Sequence, residues 1–212
     1  MSDSAMAMRI LPVLLLALTT TPAVAGKEDI PLVIIGLPFS PETPTPVAPT
    51  HPLYHRIEVG EIGDLPSAVR TSALNIFAAA KGSSVNEALR ETLRRMNLLA
   101  TESTGARTRL TVTWRGTDTP LRFMVSRNAA RATLHYRLVR IDNGQQLFDR
   151  EIVTSANGGG VDASMRDKGI LRAAIAANFA SAANCLDRAA FGTAPRDCAL
   201  VPKFSVAAVR QR

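Results

Sequence analysis

The chain has 212 residues, 46% of them hydrophobic, and a formal net charge of +7 from 25 Lys and Arg residues against 18 Asp and Glu residues. This length accommodates a leader and one ordinary domain of about 100–200 residues, which excludes a small scaffold that depends on several disulfides. The positive charge attracts anionic lipid headgroups, lipopolysaccharide or acidic glycans, or it simply keeps a basic surface solvated.

Residues 1–25 have the three parts of a secretory signal peptide. Arg9 supplies a positive charge, a short apolar run follows, and Ala23-Val24-Ala25 is a small-x-small cleavage signal before Gly26. The run is too short to cross a hydrocarbon core of about 30 Å as a helix. The sequence therefore predicts a periplasmic or secreted mature chain without a transmembrane helix and without a nucleic-acid partner. A lipid anchor is not expected, because Gly26 stands where a lipoprotein has its cysteine.

Residues 26–55 form a proline-rich arm. Proline fixes φ, removes a backbone donor and keeps the preceding residue out of the helical region. Such a composition favours polyproline II or disorder, so we predict an extended spacer. Its apolar residues 32–35 are suited to docking on the domain or on a partner. The prolines of the arm are Pro31, Pro38, Pro41, Pro44, Pro46, Pro49 and Pro52.

The folded domain is predicted over residues 56–192, and a short C-terminal tail over residues 193–212. The domain begins with a short strand at residues 57–62, where apolar and polar residues alternate.

Residues 64–80 fit two patterns. Val69, Ala73 and Ile76 have helical spacing, and Gly82 would end such a helix. The alternation within the same stretch fits a strand equally well. We favour the helix.

A capping box marks the next helix. Ser84 is placed to accept a hydrogen bond from the backbone N–H of Glu87, whose side chain reaches back to the cap. Residues 85–99 are therefore predicted to be helical. One apolar stripe follows this helix through Val85, Leu89, Leu93 (or Thr92), Met96 and Leu99.

Alternation of apolar and polar residues then predicts two half-buried strands. In the first, Leu110, Val112 and Trp114 alternate with polar neighbours, and a turn follows. The second starts at residues 121–125 and extends, after an irregular stretch, over residues 132–141.

The loop at residues 142–144 fixes the register of a hairpin. A two-residue Asn-Gly loop would place Arg137 opposite Arg150, and like charges directly opposite each other are unfavourable. A three-residue loop with Gly144 in the left-handed conformation shifts the pairing by one residue. We predict this second register, which points apolar pairs at the core and charged pairs at the opposite face. Its pairs are Arg137 with Asp149, His135 with Glu151, Leu138 with Phe148, and Leu134 with Ile152.

A glycine-rich stretch, residues 157–160, ends the predicted sheet. Asp162 or Ser164 then caps a long alanine-rich helix that ends near Ala190. The buried stripe of this helix is predicted to be Leu171, Ile175, Phe179, Ala182 and Leu186.

The chain has two cysteines, Cys185 and Cys198. In an exported protein they most simply form one disulfide, which would tie the tail to the last helix. The alternatives are a redox pair and two free thiols. The spacing does not favour a redox pair, because there is no C-x-x-C motif to lower a thiol pKa.

No motif predicts a catalytic residue, a bound cofactor or a metal site. His51 and His55 have the spacing of two metal ligands on a helix, but Pro52 argues against a helix there. His135 is interpreted as the partner of Glu151 in an ion pair on the sheet rather than as a general base. The glycine run has no Walker lysine and no G-x-G-x-x-G pattern.

Arginines cluster in the middle of the chain. Because guanidinium forks match phosphate and carboxylate, they are candidates for a face that binds an anion or a partner. A plain solvated face is the alternative. The cluster comprises Arg107, Arg109, Arg115, Arg122, Arg127 and Arg131, and the residues assigned to the candidate face are Arg107, Arg109, Arg115 and Arg137.

The order strand, helix, strand, strand, strand, helix predicts an α+β fold in two layers, with one antiparallel sheet of about four strands covered by two main helices. This order, the hairpin at residues 142–144 and the closing helix resemble small periplasmic envelope-assembly domains such as the lipopolysaccharide-assembly lipoprotein of the outer-membrane translocon. The resemblance covers residues 56–190. The missing lipidation cysteine departs from that pattern.

Together these features predict an exported, non-enzymatic cell-envelope protein that binds a protein partner or an anionic glycolipid in transport or assembly. The alternative is an enzyme, a hydrolase or transferase acting on envelope glycans or lipids, whose site is not visible in the sequence. A concave pocket with converging polar groups would favour the enzyme. An exposed apolar or basic face would favour the binding protein.

Overall fold

The computed structural model describes residues 45–71, 78–119, 127–159, 163–192, 198 and 205–206. The predicted signal peptide, most of the proline-rich arm and the predicted strand at residues 121–125 lie outside these ranges.

The described chain has the predicted α+β class. A five-stranded sheet has the strand order β1-β4-β5-β6-β7, and β2 and β3 form a separate antiparallel pair. The elements are β1 (Ile57–Val59), β2 (Ala68–Arg70), β3 (Ala78–Lys81), α1 (Gly82–Arg95), β4 (Thr108–Asp118), β5 (Arg127–Arg140), β6 (Gln146–Gly159), α2 (Ala163–Ala189) and β7 (Ser205–Val206).

The main sheet is mixed, whereas the sequence predicted an antiparallel one. Its centre, β4-β5-β6, is antiparallel, but β1 pairs with β4 and β7 pairs with β6 in parallel. Parallel neighbours need a long crossover connection. Here α1 lies between β1 and β4 in the chain, and α2 lies between β6 and β7, so a helix is part of the connection in each parallel pair.

The predicted hairpin register is confirmed. Arg137 lies opposite Asp149, His135 opposite Glu151, and the two apolar pairs form as expected. Gly144 is left-handed, with a φ of +70°, as predicted. The loop is longer than predicted, because the pairing shifts by one residue between Leu138 and Val139 and the bond from the N–H of Arg140 to the carbonyl of Gln145 closes a loop of residues 141–144. The charge argument therefore chose the correct register for these pairs but not the loop length.

Strand β4 shows the predicted alternation. Leu110, Val112 and Trp114 are buried, while Arg109 and Thr111 between them are exposed. The pairing of β4 with β5 slips by one residue after Trp114, so an irregularity lies within a regular antiparallel pair.

The helix favoured for residues 64–80 is wrong wherever the chain is described there. Residues 68–70 and 78–81 are strands β2 and β3, which pair with each other. Val69, Ala79 and Ala80 are buried, and β3 contacts both α1 and α2. The spacing of this segment fitted both a helix and a strand, and burial on a sheet surface favoured the strand.

Helix α1 starts earlier than the capping box indicated. It begins at Gly82, and its N-cap residue, Lys81, makes no side-chain capping bond. A Cβ built on Gly82 would lie 2.6 Å from the carbonyl oxygen of Pro66, so the helix starts where two backbones meet closely. The helix ends at Arg95, and Asn97 is left-handed with a φ of +58°.

The apolar stripe predicted for α1 is buried from Val85 to Met96, and Leu99 is partly buried. Helix α1 packs mainly against α2 and β3, while α2 packs on β5 and β6. The two helices therefore do not share the sheet equally. Helix α2 is the element that covers it.

Helix α2 is buried on almost all sides. All five residues of its predicted stripe are buried, and so are the intervening alanines such as Ala174 and Ala183. Residues 167–189 are long and apolar enough to cross a membrane, but 83% of their most apolar window is buried inside the domain. This helix is the central core element of the fold.

The end of the proline-rich arm packs on the domain. Val47 and Leu53 are buried, and the backbone N–H of Val47 donates to the carbonyl of Met96 at 3.1 Å. The Asn97 side chain in turn donates to the carbonyl of Val47. The packed part of the chain therefore begins at least eight residues before Arg56.

Candidate binding surface on the outer face of the sheet

The two sides of the main sheet have different surroundings. Helix α2 packs against one side of β5 and β6, and the alternate residues on that side are buried. We call the opposite side of β4-β5-β6 the outer face; no helix of the described chain covers it. Its residues are Arg109, Thr111, Thr113 and Arg115 in β4; Arg131, Thr133, His135, Arg137 and Val139 in β5; and Leu147, Asp149, Glu151, Val153 and Ser155 in β6.

Three of the four arginines assigned from the sequence lie on the outer face. Arg109 and Arg115 are exposed on β4, and Arg137 is exposed on β5. Arg107 is also exposed, but it precedes β4 and its carbonyl accepts a hydrogen bond from Ile141. Arg122 is outside the described residues.

Two of these arginines are paired with carboxylates of the same face. Arg109 Nε lies 2.5 Å from Glu58 Oε1, and Arg137 Nε lies 3.8 Å from Asp149 Oδ2. Exposed pairs of this kind contribute at most about 1 kcal/mol each to stability. Their importance is electrostatic, because half of the predicted anion-binding guanidinium groups are already neutralised locally.

The ion pair predicted between His135 and Glu151 is wrong, although these two residues do lie opposite each other. His135 Nε2 is 2.7 Å from Asp149 Oδ1 instead. Long side chains on a sheet reach diagonal neighbours on the next strand as well as the residue directly opposite. Asp149 therefore bridges His135 and Arg137.

The outer face also has an apolar component. Val153 is 47% exposed, which makes it one of three exposed large hydrophobic residues in the described chain. Val139 and Leu147 are half-buried on the same face, and Thr113 and Thr133 add methyl groups and hydroxyls. The face is thus mixed, with paired charges, threonines and one open apolar side chain.

A cleft of about 360 Å³ opens at the β1 edge of this face. It is lined by residues 58–61 and 109–111, so it includes Glu58, Glu61, Arg109 and Thr111. Sequence reasoning missed the two glutamates, because nothing in the spacing of residues 58–61 relates them to β4.

The side of the sheet under α2 holds a buried polar group that sequence reasoning also missed. The Tyr136 hydroxyl donates to Asn178 Oδ1 at 2.7 Å, and Asn178 Nδ2 donates to the carbonyls of Ile152 and Ala132. Burial raises the pKa of Tyr136 well above its usual range. An asparagine within the apolar stripe of a long helix was the available signal.

The predicted disulfide is confirmed. Cys185 in α2 is bonded to Cys198, with 5.1 Å between their Cα atoms. The Asn184 side chain donates to the carbonyl of Cys198 at 2.8 Å, which also holds this residue against the end of the helix. The disulfide ties the start of the tail to α2.

The histidines are dispersed. His51 Nε2 lies 2.9 Å from Asp187 Oδ1 near the end of α2. His55 Nδ1 instead lies 3.0 Å from the carbonyl of Leu99. Within the described ranges, no three His, Cys, Asp or Glu side chains are grouped as metal ligands.

No family model and no curated protein matches the chain. Solved structures with a similar chain course include the following two proteins. A Caulobacter crescentus protein, provisionally described as a lipoprotein, aligns with a TM-score of 0.42 at 16% identity over 65% of this chain and 92% of its own. A Xanthomonas campestris protein of a family of unknown function aligns with a TM-score of 0.44 at 12% identity, over 68% of this chain and 89% of its own. Similarity at this level assigns no function to the chain.

Proposed function

We propose that this chain is an exported cell-envelope domain that binds a protein partner through the outer face of its sheet. The observation that supports this most directly is the contrast between the two sides of the same strands. One side is sealed by α2, and the other is open, with Val153 about half exposed. An antiparallel sheet can simply face water on one side, so the composition of the open side carries the argument.

The composition favours a protein over a polyanion. A surface for a polyanion presents unpaired cations, but Arg109 and Arg137 are held by Glu58 and Asp149. Charged pairs beside threonines and an exposed valine are typical of protein interfaces, whose surface is about as apolar as the rest of a protein. Arg115 and Arg131 are exposed cations of the face that form no ion pair with a carboxylate of the described residues, so the face keeps some uncompensated positive charge.

Export is supported by the leader pattern and by the disulfide. The bond between Cys185 and Cys198 is of the kind that persists in oxidising compartments. Intact-mass measurement of the protein recovered from cells tests this point directly. We expect a mature chain that begins near Gly26, and a retained leader or an added acyl mass would contradict it.

Site-specific photo-cross-linking tests the face. A photoreactive amino acid at Val153 or Thr133 should yield one defined protein adduct in cells, identified by mass spectrometry. The matched control is the same amino acid at Arg90, which is exposed on α1. Equal adducts at all three positions, or none at the outer face, would refute the proposal.

An arginine variant sharpens this experiment. Arg137→Ala should change the free energy of unfolding by less than about 1 kcal/mol, because its ion pair is exposed. It should nevertheless reduce the yield of the adduct at Thr133. A lipid adduct in place of a protein adduct would show that the surface binds an anionic glycolipid instead.

A further inference from the structure

The cleft at the β1 edge results from one extra residue in the edge strand. Val59 lies opposite Leu110, and the chain meets β4 again at Gly63, which lies opposite Thr113. Residues 60–62 therefore correspond to only two residues of β4. The extra residue makes the chain bulge away from the sheet, as β-bulges do, and the cleft lies between the bulge and β4.

The bulge is held in place from behind. The Ile62 side chain is 4% exposed, and its backbone N–H donates to Asn86 Oδ1 in α1 at 2.8 Å. Gly63 donates to the carbonyl of Val112 at 2.8 Å, and its own carbonyl accepts from Trp114 at 2.8 Å. These bonds fix the C-terminal end of the bulge, and the pairing of Val59 with Leu110 fixes its N-terminal end, so the cleft is preformed.

The charge in the cleft is opposite to that of the protein. The chain has a net charge of +7, but the cleft contains two carboxylates and one guanidinium. Glu58 is engaged by Arg109, whereas Glu61 is exposed and makes no ion pair within the described part of the chain. A positively charged group is therefore attracted here, and a phosphate or carboxylate is not.

We propose that the cleft receives a lysine or arginine side chain of the protein partner. The inference rests on the proposed function, since Arg109 and Thr111 belong both to the cleft and to the outer face. In this arrangement Glu61 pairs with the incoming cation, and the Thr111 hydroxyl is available as an acceptor. Gly60 adds no side chain to the lining of the cleft, and a Cβ built there would meet nothing within 4 Å.

The test uses capped amino acids as probes. The purified, isotope-labelled protein is titrated with N-acetyl-arginine amide, N-acetyl-lysine amide and N-acetyl-glutamate amide, and the amide resonances are followed by NMR. We expect the two cationic probes, but not the glutamate probe, to shift Gly60, Glu61 and Thr111. Equal shifts with all three probes, or none at these residues, would overturn the proposal.

Two variants establish the contact. Glu61→Gln should weaken binding of the arginine probe about fivefold, as the loss of one exposed charge pair predicts. Gly60→Leu should block the cleft without backbone strain, because Gly60 has no left-handed φ. Glu151→Gln removes an exposed carboxylate from another strand of the same face and should leave binding unchanged. An equal loss in Glu61→Gln and Glu151→Gln would refute a specific contact.

The outcome can be separated from that of the proposed function. If the adduct at Val153 forms at full yield in Glu61→Gln and the probes do not bind, the cleft proposal fails and the outer-face function stands. If the arginine probe binds in the cleft but no protein adduct forms at Val153, the outer-face function fails. The cleft is then a site for a small cation, and the proposal of a partner side chain is also wrong.

Discussion

The two sides of β5 and β6 belong to the same strands, yet one is buried in the core and the other is exposed. Under α2, Leu134, Leu138 and Phe148 are buried, and the polar Asn178 has each of its amide atoms bonded. On the outer face, His135 and Arg137 share a single carboxylate and remain partly exposed. The residues of the first side are engaged in packing within the domain. The exposed residues of the second side remain accessible to a partner.

The strongest test of this contrast compares two neighbours in β6. Ile152 is 3% exposed and Val153 is 47% exposed. Ile152→Ala should lower the free energy of unfolding by about 2–5 kcal/mol, because it removes buried methylenes and leaves a cavity. Val153→Ala should cost less than about 1 kcal/mol. Urea denaturation of both variants measures the difference, and similar losses would mean that the outer face is covered.

Loss of the disulfide is expected to lower the free energy of unfolding slightly less than Ile152→Ala does. The bond joins residues 13 apart in sequence, and a loop of that length corresponds to about 3 kcal/mol in the chain-entropy model. Cys185→Ser with Cys198→Ser should therefore lower the melting temperature in non-reducing buffer. The variant should not respond to added reductant, whereas the parent protein should. A parent protein indifferent to reductant would show that the bond does not stabilise the fold.

The buried tyrosine makes the stability of the covered side depend on pH. Burial raises the pKa of Tyr136, so the folded state favours the neutral phenol. The stability due to this group is complete below the unfolded pKa of about 10 and is lost as the pH rises above it. Tyr136→Phe should remove this alkaline loss. At neutral pH it should cost about 1–3 kcal/mol, because Asn178 Oδ1 loses its donor.

Tyr54→Phe is the matched control for this measurement, since Tyr54 is only partly buried. It should keep the loss of stability above pH 10 that the parent protein shows. Chemical denaturation at neutral pH and between pH 9 and pH 11 compares the two variants. Identical alkaline profiles for both would mean that Tyr136 does not stay neutral in the folded state.

The smallest expected effect concerns the hairpin that aligns both faces. Gly144 has a φ of +70°, and a side chain there costs about 1–2 kcal/mol. Gly144→Val should destabilise the protein by that amount. Gly60→Val, where a Cβ has open space and φ is not left-handed, should cost less. Thermal unfolding ranks the two variants, and the reverse order would indicate a different loop conformation.

Local patterns in the sequence were sufficient for several features. The stripe of α2 and the alternation of β4 were correct, because burial of one face imposes a fixed period on a helix or strand. The register at Arg137 and Asp149 was also correct, since two alternatives differed by a clear electrostatic penalty. The pairing of Cys185 with Cys198 followed from there being two cysteines in a chain whose sequence predicts a secretory leader.

Other features depended on partners that are distant in sequence. The spacing of residues 64–80 fitted a helix and a strand, and contacts with α1 and α2 selected the strand pair. Helix α1 starts at Gly82, where the backbone of Pro66 lies too close for a side chain, and Ser84 is not its N-cap. A local pattern cannot contain such a contact, so the sequence could only misplace these boundaries.

In the outer face, some features follow from the sequence pattern and others from the tertiary structure. Alternation along each strand determined which arginines point away from α2, and that property depends only on the two-residue period of a strand. Which carboxylate each arginine meets was decided by the order and register of the strands. Glu58 reaches Arg109 only because β1 joins the sheet in parallel beside β4, across some fifty residues of intervening chain. The charge of the cleft, and hence the ligand proposed for it, is therefore a property of the tertiary structure.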